Sequence, residues 1–364
     1  TANELNLTGV SDYSSSKEIQ NISEFNPAKE IAVTNSRVDG LEVRINDFEA
    51  GGFSDTTTAS FSVDAVLGGV STDDPAILTD DDFNVEAVSF DYQYQIGLTS
   101  SFTGEDSLDV TIDVGGTGEE SGASATSVFS GFDATDDVMT VDGVTYSFPV
   151  GGATVLVGDS TDVSALYTGA CAYSGFADYM GDCGTGNSIG AGGAGVAAAV
   201  SYAFDGGFSL AGGVSSPAIE ILGEDNDAYG IEAAYTADSY GVSLAFSDVE
   251  LATFVGANGF YSFDFATFSA GYETSDVDEV DDETSSFFIG MTKEVGPGTA
   301  EFGYTSTDMA DTFTEGTPDE TGYMYEASYA YPVNDALTIT PGIAIMDVEA
   351  GETTFAAVKA SFSF

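Results

Sequence analysis

Val88-Ser89-Phe90-Asp91-Tyr92-Gln93-Tyr94-Gln95-Ile96-Gly97-Leu98-Thr99 alternates apolar side chains with Ser, Asp, Gln, Gly and Thr along its whole length. Successive side chains of a strand point to opposite faces, so this segment has one apolar face and one polar face. The pattern recurs on both sides of it. Ala59 to Leu67 is apolar at odd positions, and Leu108, Val110, Ile112 and Val114 alternate with Asp109, Thr111 and Asp113. Further along come Val144/Tyr146/Phe148, Val196/Ala198/Val200/Tyr202/Phe204, Tyr229/Ile231/Ala233/Tyr235, Val242/Leu244/Phe246, Tyr261/Phe263/Phe265 and Phe268/Ala270/Tyr272. Phe302/Tyr304, Tyr323/Tyr325/Ala327/Tyr329/Tyr331, Leu337/Ile339/Ile343/Ile345 and Val358/Phe362/Phe364 complete the series, for about 14 to 18 strands.

The connections divide into two kinds. Residues 103–107, 205–207, 237–239, 294–298 and 332–335 are tight, whereas 68–84, 157–192, 274–284 and 308–321 are long and acidic. Short turns on one rim and long loops on the other predict an antiparallel transmembrane β-barrel over 53–364. Tyr92, Tyr202, Phe204, Tyr323 and Tyr331 fall near strand ends, as interfacial aromatic girdles require, and weigh against a soluble sandwich or propeller. The chain also stops within a strand at Phe364, an ending that resembles the assembly signal of outer-membrane barrels.

Composition narrows the function. The 364 residues hold 61 Asp and Glu against 6 Lys and Arg, a net charge of −55, and no His or Trp. Nucleic acid and anionic membrane surfaces need a basic footprint, so neither is a partner. Without imidazole there is no Ser/His/Asp or Cys/His system, and the chain reads as no enzyme. Disorder does not follow from the charge, since 43% of residues are hydrophobic, 12% aromatic and only 18% charged. The 44 Gly and 8 Pro suit many strands joined by turns. No apolar run reaches the 18 or so residues of a transmembrane helix, which leaves the barrel untouched. Thr1-Ala2-Asn3-Glu4 lacks a charged-then-apolar leader, so a secretion signal is expected to have been removed or omitted.

The first 50 residues form a different object. Lys17, Lys29, Arg37 and Arg44 precede Gly51-Gly52, and no Lys or Arg occurs from Ile45 to Thr292. Ile31, Val38 and Ile45 recur every seven residues, with Leu41 and Phe48 three after the last two, giving the a/d seam of a short α-helical coiled coil over 31–50. Arg37 and Arg44 fall at g, and Glu42 and Glu49 at the e positions they would meet in a parallel oligomer. So short a seam is marginal by itself and must be held together by the rest of the chain; a single amphipathic helix capping the barrel is the other reading. Taken alone, β-branched a positions with Leu at one d favour a dimer over a trimer.

Cys171 and Cys183 lie in a Gly-rich segment with no competing thiol, which points to a disulfide of about 3 kcal/mol and an oxidising envelope compartment, or else to two free thiols. This loop also carries Asp178, Asp182, Tyr173, Phe176 and Tyr179 in the longest gap between strands. It either folds inward to narrow a pore or stands outside as a stiffened loop.

Several stretches resemble a known family: Glu4-Leu5-Asn6 with Asp12-Tyr13-Ser14-Ser15-Ser16, Asn21-Ile22-Ser23-Glu24-Phe25, Ser36 to Arg44, Val141-Asp142-Gly143-Val144-Thr145-Tyr146-Ser147-Phe148-Pro149-Val150-Gly151, Val157-Gly158-Asp159, and the Cys171 to Cys183 loop. The family is that of the outer-membrane porins of cyanobacteria, marine picocyanobacteria above all, which resemble the carbohydrate-selective porins. The resemblance implies a homotrimer of 16-stranded barrels with a periplasmic coiled coil. It also implies passive diffusion of inorganic ions and small hydrophilic nutrients, iron included. Family members usually carry an S-layer-homology domain after the segment matching Ile22-Ser23-Glu24-Phe25; here Asn26-Pro27 comes next, so residues 1–30 are expected to form only a short periplasmic segment.

On each strand the face opposite the apolar one is expected to line the pore. It presents Asp64, Asp91, Asp109, Asp113, Glu232, Asp264, Glu273, Glu301 and Glu326 against Lys359, with Lys293 of ambiguous parity. An electronegative lumen between low-dielectric walls concentrates cations and excludes anions. The acidic runs at Asp80-Asp81-Asp82, Glu224-Asp225-Asn226-Asp227 and Asp276 to Glu283 offer carboxylates for structural calcium or magnesium, lack EF-hand spacing, and could equally be solvated surface or a cation-collecting vestibule. No other cofactor is implied. A secreted calcium-dependent adhesin or binding protein would also explain the acidity, but its Gly-rich nonapeptide repeat is absent; a substrate-specific carbohydrate channel is the remaining alternative.

Overall fold

The alternating segments form sixteen strands in the computed structural model, which describes residues 56–73, 88–116, 130–132, 135, 137–190, 193, 195–217, 227–277, 284–308, 321–348 and 351–364. They are β1 (Thr57–Thr72), β2 (Ser89–Ser100), β3 (Ser107–Gly115), β4 (Thr140–Val150), β5 (Ala153–Thr161), β6 (Gly195–Ala203), β7 (Phe208–Ser216) and β8 (Ala228–Thr236). The rest are β9 (Tyr240–Val249), β10 (Ala252–Phe263), β11 (Ala266–Val277), β12 (Thr284–Val295), β13 (Gly298–Asp308), β14 (Thr321–Asn334), β15 (Leu337–Val348) and β16 (Gly351–Ser363). Each pairs antiparallel with the next, and β16 pairs with β1 to close the barrel. The seam is fixed beyond the last strand residue: the amides of Phe61 and Phe364 each donate to the other's carbonyl, at 2.9 and 3.0 Å, and their rings stack at 5.9 Å.

Sequence parity sets which face is which. Ile231 is 62% exposed and Leu244 57%, while their immediate neighbours Glu232 and Ala245 are buried. Burial is inverted relative to a soluble sheet: apolar side chains look out and polar ones look in, as a barrel surrounded by lipid demands. At the rim of short turns the aromatic side chains form a chain of contacts, with Tyr202 on Phe204 and Phe208 on Tyr235 at 4.6 Å, and Tyr261 on Phe263 at 4.5 Å. Near the opposite rim Tyr304 packs on Tyr325 at 5.1 Å.

The tight connections lie at one rim and the long ones at the other, with two additions. On the long-loop rim, only two residues separate Val249 from Ala252 and Val348 from Gly351. One expected strand is shorter than its alternation suggested. Asp264 and Phe265 form the turn between β10 and β11, so Asp264 stands exposed at the short-turn rim and is not a strand residue facing the lumen. The apolar period carried across this turn because Phe265 continues the aromatic row, stacking on Phe263 at 5.5 Å.

The turn between β2 and β3 is closed by one carboxylate. Asp106 Oδ1 accepts from the amides of Phe102 and Thr103 at 2.9 and 2.8 Å and from the hydroxyls of Ser101 and Thr103, while Oδ2 accepts from Tyr146 at 2.7 Å. The Thr103 amide above all, with these hydroxyls, holds the carboxyl well below the ordinary carboxylate range.

Candidate functional site

Between β5 and β6 the chain runs into the barrel. Asp162 starts the segment by accepting from the Ser164 amide and hydroxyl at 2.7 and 2.6 Å, and the adjacent Val163 is wholly buried against Ala228, Val249 and Phe254. A 3₁₀ segment (Asp178–Gly184) and a single turn of helix, α1 (Gly186–Ile189), come after it. Every strand residue this segment touches through the bonds below has inward parity. The segment therefore occupies the lumen, along the wall from β7 round to β1.

Three features of the wall receive it. The first is space. Inward positions on β7, β8, β10, β11, β12, β13 and β15 are glycines at the contact. A methyl group on Gly271 would overlap the Cys183 carbonyl oxygen, and one on Gly290 would lie 2.6 Å from the Tyr173 ring. The backbone can thus approach the sheet.

The second is an apolar patch inside the barrel. Val66, Val70, Phe288, Met324, Ala344, Phe355 and Ala357 point inward and pack with Tyr173, Phe176, Ala177, Met180 and Cys183 of the segment. Phe176 stacks on Phe355 at 5.5 Å, and Tyr173 meets Phe288 at 5.1 Å. Burying side chains of this size stabilises the docked segment by about 1.5–3 kcal/mol each.

The third is a row of acceptors for the segment's backbone. Glu232 accepts the Thr168 and Gly169 amides on different oxygens at 2.7 and 2.8 Å. Glu326 accepts the Tyr173 hydroxyl and the Phe176 amide on Oε1 at 2.6 and 2.8 Å, and the Ala177 amide on Oε2 at 2.9 Å. Glu273 takes the Ser188 amide at 2.6 Å and the Asn187 side-chain amide at 2.9 Å. Glu301 accepts the Ser174 hydroxyl at 3.0 and 2.9 Å. Asn258 accepts the Ala170 amide at 3.0 Å and donates to Thr185, and Ser286 donates to the Gly184 carbonyl at 2.6 Å. A segment without regular structure has orphan backbone groups, and the wall satisfies them.

Cys171 and Cys183 are disulfide-bonded, twelve positions apart with Cα atoms 5.7 Å apart. The ring encloses the apolar anchors. Near its end Asp182, Cys183 and Gly184 take left-handed φ values of 53°, 54° and 69°, which the bridge and the Gly271 contact hold in place. Burial among protein atoms, with Asp178 and Asp162 nearby, raises the Asp182 carboxyl although its edge stays open to lumenal solvent. Burial, and then the Glu326 carboxylate, push the Tyr173 hydroxyl far up, so it stays a neutral donor.

The acids expected along the pore thus fall into groups. Glu232, Glu273, Glu301 and Glu326 have inward parity and are covered by the inserted segment. Asp64, Asp91, Asp109 and Asp113 have inward parity on β1 to β3. Asp64 faces Gln93 across the sheet, Gln93 donates to Asp113 at 3.2 Å, and Asp109 accepts from Thr99 and Ser107 at 2.6 and 2.7 Å. Asp91 and Asp113 are buried, Asp64 and Asp109 half-buried. Lys359 shares this parity on β16, in register with Val66 and through it with Asp91. The parity of Lys293 is resolved: it lies exposed on the outer face, in line with Phe287 and Ile289, near the short-turn rim.

Of the other candidates, Asp178 sits exposed on the segment, and the Tyr179 side chain lies outside the described residues. So do the coiled-coil residues Ile31, Val38, Leu41, Ile45, Phe48, Arg37, Glu42, Arg44 and Glu49, and the acids Asp80, Asp81, Asp82 and Asp225. Asp227 precedes β8 and accepts a long bond from Tyr229 at 3.4 Å; among the described residues no group of three metal-ligating side chains is gathered. Alternation alone did not pick out Asn258, Ser269, which accepts the Ala172 amide at 3.2 Å, Ser286, the inward glycines or the inward apolar residues. The traces were there: Ala65-Val66-Leu67 and Phe287-Phe288-Ile289 are apolar at both parities, which a water-filled interior does not explain.

No family model and no curated protein sequence matches the chain. Solved structures do. OprB of Pseudomonas putida is similar with a TM-score of 0.62 and 11% identity, over 90% of this chain and 97% of that one. An anion-selective porin from Comamonas acidovorans matches with a TM-score of 0.57 and 15% identity, over 85% and 99%. OmpT, an outer membrane protein of Vibrio cholerae, matches in its trimer form with a TM-score of 0.57 and 12% identity, over 85% and 100%. At such identities the likeness is one of fold.

Proposed function

We propose that this chain is an outer-membrane porin: a water-filled channel, narrowed by the segment between β5 and β6, that passes small inorganic cations and small hydrophilic solutes by diffusion and disfavours anions. The exposed apolar belt with aromatic rows at its rims supports a lipid surround. One observation carries the charge preference: along 56–364 the chain has only two basic side chains, and of these only Lys359 has inward parity, against the eight inward acids described above and Glu294 at the short-turn end of β12. An anion-selective porin shares the fold, so the fold leaves the sign of selectivity open. The side chains set it.

The resemblance to picocyanobacterial porins supports a homotrimer with its N-terminus, including the coiled coil of 31–50, in the periplasm, and iron as one admitted cation. The acidic runs around Asp80 to Asp82 and Asp225 to Asp227 are proposed to gather divalent cations at the long-loop mouth. Purified protein added to a planar lipid bilayer should give discrete ohmic steps that shrink as the cation grows, at fixed anion. Steps that track anion size instead, or no steps at all, would remove the proposal.

A further inference from the structure

Resting on the channel reading above, we infer a division of labour among the inward acids: Glu232, Glu273, Glu301 and Glu326 are positioning residues that hold the inserted segment, and the half-buried aspartates Asp64 of β1 and Asp109 of β3 determine the charge preference. In Glu232, Glu273 and Glu326 both carboxylate oxygens accept from the segment, each from a different donor. A carboxylate can accept at both oxygens and so complete such a set; a carboxamide would turn an N–H toward an N–H. The spacing matches the path of the segment. Glu232 holds 168 and 169, Glu301 holds Ser174, Glu326 holds 173, 176 and 177, and Glu273 holds 187 and 188.

Charge so engaged acts weakly on a passing ion. The four glutamates are at most 7% exposed, and backbone N–H dipoles aimed at Glu232, Glu273 and Glu326 offset their field on the lumen side. Asp64 and Asp109 differ. They retain solvent exposure; Asp109 accepts from the neutral Thr99 and Ser107, and Asp64 stands in register with Gln93 and Ser361, two positions along β16 from Lys359. An ion moving along β1 to β3 meets those charges with water between, where they act as a focusing field rather than as a clasp.

The consequence separates the two groups by salt and by the direction of the conductance change. Glu232→Gln and Glu326→Gln should loosen the segment, raising single-channel conductance, roughly a doubling if the narrowing opens, and adding open-state noise. Both effects should persist at 1 M KCl, where the Debye length is about 3 Å. Asp64→Asn and Asp109→Asn should lower the cation-to-anion permeability ratio and the cation current at 0.1 M KCl, with both effects fading at 1 M and no added noise.

A donor-side variant guards against glutamate variants that fail to fold. Tyr173→Phe with Ser174→Ala changes no charge at neutral pH yet removes donors to Glu326 and Glu301. It should reproduce the rise in conductance and noise. The inference is overturned if the Glu→Gln variants instead lose selectivity in a salt-screened way without added noise, or if the double variant leaves conductance and noise unchanged. Failure of the channel reading would look different, since it would appear in the wild-type protein as absent steps or anion preference.

Discussion

On β8 to β14 the inward carboxylates are glutamates, of which Glu232, Glu273 and Glu326 reach across to backbone amides of an inserted segment and Glu301 to its Ser174 hydroxyl. On β1 to β3 they are aspartates, of which Asp109 and Asp113 accept from Thr99, Ser107 and Gln93 of the sheet. Side-chain length and partner type change together between the two walls. A carboxylate that receives amides through both oxygens orders the chain that supplies them, and its charge is local. A carboxylate that keeps contact with solvent, as Asp64 and Asp109 do, keeps its field. The same residue class, in the same parity, does structural work on one side of the lumen and electrostatic work on the other.

The largest loss is expected from the apolar anchors of the segment. Phe176→Ala would empty the site against Phe355 and the Gly342 surface and cost about 3–5 kcal/mol of docking; trypsin has no site in this segment, so cleavage by a protease of broad specificity within 162–190 is the readout. If the segment stays as resistant as wild type, the apolar patch is not its anchor. Loss of the Cys171–Cys183 bridge, by reduction or by Cys→Ser at both positions, should cost about 3 kcal/mol on the chain-entropy model and raise conductance noise. Gly271→Ala comes next. Its methyl group overlaps the Cys183 carbonyl, and displacing that backbone should cost about 1–3 kcal/mol, seen as a lower unfolding temperature together with faster cleavage of the segment.

Smaller effects sharpen the contrast through pH. The Asp182 carboxyl is raised by burial, so the folded segment favours its neutral form: its contribution to stability is present at acid pH and is lost as pH rises through the raised folded value. Asp182→Asn keeps a residue tolerant of φ near 53° and removes that dependence. At neutral pH the variant should resist proteolysis better than wild type, and the gap should close on acidification. Asp106 carries the opposite sign. Its carboxyl is depressed, so the turn it closes is stable above the ordinary carboxylate range and weakens as pH falls through the lower folded value. Hydrogen exchange of the Thr103 amide against pH, compared with Asp106→Asn, reads this directly.

Much of the barrel was legible because each strand has one lipid face, and lipid enforces strict alternation. Val88 to Thr99 shows it without interruption, and the tight connections fell on one rim as expected. The reading failed where the physical environment stops alternating. Phe265 sits in a turn yet remains apolar because the aromatic row continues through it, and Asp264 was carried into the strand with it. Inside, parity correctly put Glu232 and Glu326 on the face opposite the apolar one, but parity carries no information about what covers that face. The inserted segment is separated by about 60 to 150 residues from the carboxylates it meets. Only the apolar residues at inward parity, Val66, Phe288 and Phe355, and the glycines beside them hinted that part of the lumen is packed.

The open part of the lumen is proposed to select cations by the charge of its wall. The zero-current potential of the wild-type channel under a KCl gradient tests it most directly, taken first at about 0.1 M and then near 1 M mean salt, where screening lengths fall from about 10 Å to about 3 Å. A cation-selective wall gives a potential of the sign of K⁺ permeation, shrinking at high salt. A potential of the opposite sign, or one near zero at low salt, would contradict it.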